Sequence, residues 1–212
     1  MKGIDYYGGG AHLRSGRFKI IMHQTRDILK SITSIACTEP MTGWKYSSFI
    51  KRHVPIDLGR SKLQGGKINK VHLGMQQFVG WQTFIHTLAE ATGSYRFKLE
   101  DIVGSNGDTI RSEIIREIFK RMKRSLPSAK VLEKANAPDA SFNNGMGASD
   151  DAHIANSRKH RETVTWNELF RLDKELALQA WELGKAFGYS YPDFDPLKYD
   201  PAENSNTALP TC

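Results

Sequence analysis

Arg26 and Ser34 stand eight residues apart in the run FKIIMHQTRDILKSITS (Phe18–Ser34), and together they could grip an anion. Arginine offers a planar, permanently charged fork that matches phosphate oxygens. A hydroxyl about two helical turns further on can donate to an anion lying along the helix flank. The start of that helix adds a partial positive charge. A second reading of the same residues stays open, in which Arg26 and Asp27 form a local ion pair and Asp27 caps the helix.

Placing these groups requires a strand that ends at Arg26 and a helix that starts just after it. Phe18–Gln24 is a near-continuous apolar run, the pattern of a strand covered on both faces as in a parallel sheet. With Asp27 as cap, a helix is expected to about Ala36, where Pro40 and Gly43 forbid continuation. WKYSSFIKRHVP reads as a short helix, and IDLGRSKLQGGKINK as a polar loop. From Asn69 to Ala91 the residues Val71, Met75, Phe78, Ile85 and Leu88 recur at helical spacing, and Gly93 ends the run.

SYRFKLEDI alternates Tyr95, Phe97 and Leu99 against Arg96 and Lys98, which predicts a second strand. Asp108 is expected to cap a helix whose inner face is Ile110, Ile114, Ile118 and Met122. Residues 125–157 read as a flexible loop of small and polar residues. TWNE (165–168) fits a capping box opening a last helix with Leu172, Leu176, Leu183 and Phe187 on one side. Gly188 closes it, and residues 192–212 read as an irregular tail. The expectation is one α/β domain over residues 1–191, with a loop-like segment at 1–17. Two strands make a poor sheet alone, so the parallel sheet is expected to be incomplete.

Composition sets the outer bounds. The 212 residues carry a formal charge of +7, which favours anionic partners without choosing among them. Apolar stretches fall short of the roughly 20 residues that span a bilayer, and MKGIDYYGGG lacks the apolar middle of a signal peptide. A cytoplasmic location is therefore the default expectation. Cys37 and Cys212 form neither a disulfide framework nor a metal-ligand spacing, and no metal is expected.

In order along the chain, HQTRDILKSITS, FVGWQTF, YRFKLEDI, NSRKHRETVTWNEL and LGKAFGY resemble the sulfotransferases that use 3′-phosphoadenosine-5′-phosphosulfate (PAPS). The likeness covers about residues 18–191. It rests on the order and spacing of the segments, since no single motif is highly specific. The resemblance implies a helix-rich, three-layer, P-loop-like fold and sulfuryl transfer from PAPS, as co-substrate, to an acceptor hydroxyl or amine. It implies that Arg26 and Ser34 hold the nucleotide's 3′-phosphate, with Arg158 as the late basic contact and Lys159 as its substitute. His12 is the leading candidate for general base, against the plainer reading of a solvated loop histidine. Glu100 and Asp101 match an acidic pair whose role in the family is structural.

Two departures limit the likeness. Ile28 stands where the family has a proline after Arg-Asp, and no Gly/Ser/Thr-rich loop for the 5′-phosphosulfate opens a helix upstream. RSG at Arg14–Gly16 matches that loop by letter but runs into the Phe18 strand. A chain lacking the amino-terminal part of the fold is expected, which also accounts for the shortage of strands.

Two alternatives use other residues. TIRSEIIREIFKRMKR and SRKHR could serve a nucleic-acid-binding module, although aromatic residues are not interleaved with the basic ones. A non-catalytic scaffold could pair with another copy through an exposed sheet edge. His23 reads as a core residue, and His53, His72 and His86 show no constellation. Trp44, Trp81 and Trp166 read as packing residues, with stacking on an adenine as the functional option.

Overall fold

The computed structural model describes residues 22–37, 56–61, 66–103, 107–136 and 163–201. His12, Arg158, Lys159, His53 and Trp44 lie outside the described residues, as does the WKYSSFIKRHVP segment. Among the described residues, seven helices and two strands form a helix-rich α/β arrangement. They fall into two compact units. No helix among the described residues is long and apolar enough to cross a membrane.

The first unit holds the sheet. Strand β1 (Met22–Thr25) pairs in parallel with β2 (Tyr95–Lys98), in the register Met22 to Tyr95 through Thr25 to Lys98. Parallel pairing matches the apolar run that predicted β1. His23 is a core residue and accepts from Arg96 Nε at 3.3 Å, while Arg96 Nη2 reaches Glu90 at 2.7 Å. Strand β2 is shorter than its alternation suggested. All four residues are half-buried, and Leu99, expected as an inward strand position, begins a helix instead.

That helix, Leu99–Val103, is followed by Gly107–Arg121 and Ala129–Asn136. Asp108 lies in the first turn of the middle helix rather than at its cap, and it pairs with Arg111. Ile114 is buried as expected, but Met122 is exposed. The helix at Ala129–Asn136 replaces part of the loop expected from 125. Its AKVLEKAN sequence is a good helix former whose apolar positions are too few to stand out.

Among the described residues, the regular elements of the second unit are helices. Helix α1 spans Ile28–Cys37 and α2 spans Lys70–Thr92, the last turn of α2 counting with the first unit. The three helices of the first unit just given are α3 to α5, and α6 (Trp166–Leu172) and α7 (Lys174–Ala186) are the last of the described helices. The core joins Ile28, Ile32 and Ala36 of α1 to Val71, Met75 and Phe78 of α2, and to Leu169, Ala177, Ala180 and Leu183 of α6 and α7. Small residues set the spacing. A Cβ on Gly74 would lie 3.1 Å from the Ala36 nitrogen, and one on Gly184 would lie 3.2 Å from Ile28 Cγ1.

The capping box at Thr165 and Glu168 is present. The single last helix is not, because Asp173 ends α6 in an extended conformation and caps α7. Gly188 closes α7 at φ +78°, where the Tyr189 N–H donates to Gly184 O at 2.9 Å and the Gly188 N–H to Lys185 O at 2.9 Å. Past it, Tyr191, Phe194 and Tyr199 pack against the Trp166–Phe170–Trp181 group, so part of the tail is folded onto the core.

Candidate functional site

Two polar constellations in the second unit could do chemistry, and they differ in access to solvent. The first lies at the start of α1. Asp27 caps that helix as expected: its Oδ1 accepts the Lys30 N–H at 2.9 Å, and its carbonyl accepts the Ser31 N–H at 2.9 Å. The Tyr191 hydroxyl accepts the Ile28 N–H at 3.3 Å and donates to Asp27 Oδ2 at 3.2 Å. Three of the amides at the head of the helix are therefore already satisfied by the protein itself.

Arg26, immediately before the cap, is exposed and makes no hydrogen bond or ion pair with any described residue. The local Arg26–Asp27 ion pair is thus not formed, although the Asp27 cap is. Ser34 is also exposed, on the side of α1 opposite the buried stripe of Ile28, Ile32 and Ala36. Lys30 shares that outer side. An anion here would meet side chains along the helix flank rather than the first amides.

The second constellation was invisible in the sequence. Ser61 Oγ lies 2.8 Å from His72 Nδ1, and His72 Nε2 lies 3.0 Å from Asp173 Oδ2. Gln76 Nε2 donates to Ser61 Oγ at 2.9 Å and to the Asp57 carbonyl at 2.9 Å, while Gln76 Oε1 accepts the Asp57 N–H at 2.8 Å. Arg60 grips Asp173 with a fork, Nε to Oδ2 at 2.6 Å and Nη2 to Oδ1 at 2.9 Å. The Leu176 N–H supplies a further donor to Asp173 Oδ1 at 3.0 Å. Burial pushes the Asp173 carboxyl upward, but the hydrogen bonds from His72, Leu176 and Arg60, with the Arg60 charge, outweigh it and hold the group below its usual range.

The ionised Asp173 Oδ2 only accepts, so the imidazole carries a proton on Nε2, facing it. His72 Nδ1 then faces two donors, the Ser61 hydroxyl at 2.8 Å and Gln76 Nε2 at 3.2 Å. Hydroxyl, imidazole and carboxylate in series resemble a nucleophile relay. Access rules that role out for this conformation. Ser61 is 2% exposed and His72 3%, so neither meets a substrate, and the network instead ties the 57–61 turn to α2 and to the α6–α7 junction. His72 looks isolated in the sequence because Ser61 and Asp173 lie 11 and 101 residues away, and Gln76, four residues on, is no signal of chemistry by itself.

The basic helix α4 is less free than its sequence implies. Arg111 is held by Asp108 and by the Ile102 carbonyl, Lys120 and Arg121 by Glu117, and Arg121 also donates to Gly93 O at 2.7 Å. Comparison with protein-family models, curated proteins and solved structures gives no match to this chain.

Proposed function

We propose that this chain is a sulfotransferase-like protein that binds the 3′-phosphate of PAPS through Arg26 and Ser34. When bound, PAPS supplies an activated sulfuryl group for an acceptor hydroxyl or amine. The observation that supports the reading is the state of Arg26: an exposed guanidinium, unpaired among the described residues, directly after a strand of a parallel pair and before a capped helix. Ligands of open α/β sheets gather at that end of a strand.

In this reading Arg26 provides the fixed charge and Ser34 a directional hydroxyl. Both hold the donor away from the reacting sulfur, so they bind and orient rather than move protons. Arg158 and Lys159 would add charge to the same nucleotide, and His12 is the proposed base for the acceptor. The specific P-loop-like fold belongs to this proposal too. It fits the strand–helix order β1–α1 and the return to a parallel β2.

A nucleic-acid module is the weaker alternative, because three of the cations that would carry it are engaged within the first unit. A non-catalytic sulfotransferase-like scaffold is the other. Titration calorimetry with adenosine 3′,5′-bisphosphate separates them. Arg26→Ala is expected to weaken binding about 10- to 100-fold, the loss of a charge-assisted contact, and Arg121→Ala to leave it unchanged. Equal loss in both variants, or salt-sensitive binding of oligonucleotides with none of the bisphosphate, overturns the reading.

A further inference from the structure

We propose that this chain associates with further copies of itself by seating Leu197 of one copy in a cationic groove on α4 of the next. The groove is open, holds about 360 Å³ and is lined by Glu113, Arg116, Glu117, Lys120, Arg124 and Leu126. Arg116 and Lys120 stand about one turn apart on α4, and Arg124 and Leu126 join them past the left-handed turn at Lys123. Arg116 and Arg124 are exposed and make no hydrogen bond or ion pair among the described residues. Of the two carboxylates, Glu117 is already gripped by Arg121 at 2.7 Å, which leaves the groove cationic. Leu126 is 58% exposed, and the stems of the long cations complete an apolar wall. The matching occupant is an apolar side chain flanked by acids. A nucleic-acid backbone brings the charge but nothing to cover the wall.

The chain itself displays such a group. Phe194 and Tyr199 are anchored in the aromatic cluster, their ring centroids 5.0 and 5.3 Å from that of Phe170. Leu197, between them in the chain, is 93% exposed. Its N–H donates to Asp195 Oδ1 at 3.0 Å and the Lys198 N–H donates to Asp195 O at 3.1 Å, which fixes the turn that presents it. Asp193, Asp195 and Asp200 are exposed on either side of it, and Lys198 is the only cation of residues 191–201. Because the turn is set before contact, little ordering is lost on docking. Leucine and groove are different parts of the chain, so the contact is heterologous, and each added copy leaves one groove and one leucine free. A contact built on one apolar side chain belongs to the weak, transient class. The opposed charges make it salt-sensitive.

Sedimentation velocity of the full chain, from about 10 μM to about 1 mM, tests this. The weight-average sedimentation coefficient is expected to rise with concentration, and to rise less in high salt. Leu197→Ser, and separately Arg116→Glu combined with Arg124→Glu, are each expected to weaken association about tenfold or more, with circular dichroism unchanged. Leu126→Ser serves as a second groove variant. The telling sample is a mixture. Leu197→Ser keeps the groove and a groove variant keeps the leucine, so together they are expected to form dimers that grow no further, which misfolded variants cannot do. Wild type that stays monomeric over the range, a rise that survives Leu197→Ser, or a mixture that stays monomeric overturns the proposal.

Discussion

His72 Nε2 and Asp173 Oδ2 meet at 3.0 Å across 101 residues of chain, and Asp173 at the same time ends one helix and caps the next. That one carboxylate closes three separate accounts. It accepts the imidazole proton, neutralises Arg60 and satisfies the Leu176 N–H. Asp173→Ala removes all of them and leaves a buried imidazole N–H unpaired. Stability is expected to fall by about 3–5 kcal/mol, read as a lower urea midpoint with an unchanged slope. Long-range 15N NMR is expected to find the His72 proton on Nε2. A neutral imidazole with its proton on Nδ1 contradicts the His72–Asp173 hydrogen bond.

The same carboxylate makes stability depend on pH. Its folded-state pKa lies below the ordinary value despite burial. The stabilisation is therefore whole above the unfolded carboxyl value, about 3.9, and is lost as pH falls through the lower folded value. Urea midpoints measured downward from pH 6 should fall more steeply below about pH 4 in wild type than in Asp173→Asn. Parallel curves would remove Asp173 from the account.

Lys123 takes a left-handed conformation, φ 53°, where the Arg124 N–H donates to Phe119 O at 3.0 Å and closes α4. Glycine adopts that conformation without the Cβ clash. Lys123→Gly is expected to stabilise by about 0.5–1 kcal/mol, while Gly188→Ala at the matching position of α7 destabilises by about 1–2 kcal/mol. Thermal unfolding checks both signs.

What was legible in the sequence was local. The Asp27 cap, the Thr165–Glu168 box and the glycines at 93 and 188 act within about one turn of themselves, and all are found. Of the α2 stripe, Val71, Met75 and Phe78 are buried, while Ile85 and Leu88 are half-buried. The break at Asp173 was hidden because Leu172 and Leu176 are four apart, so the apolar stripe runs through it unbroken. Leu99 continues the alternation of β2 but turns into a helix, since a four-residue pattern fits either ending. The candidate site divides in the same way. Arg26 and Ser34 are visible as a spacing, but the Tyr191 contact to Asp27 and the Ser61–His72–Asp173 series depend on which distant segments meet. No periodicity records that. The AKVLEKAN helix was missed because its neighbours in the sequence are small and polar.

The central claim is that Arg26 recognises a ribose 3′-phosphate. It is tested most directly by titrating wild type and Arg26→Ala with adenosine 3′,5′-bisphosphate and with adenosine 5′-phosphate. The account predicts that wild type prefers the bisphosphate by about tenfold or more, and that this preference collapses in Arg26→Ala. Equal affinities for the two nucleotides in wild type, or a preference that survives the substitution, would contradict it.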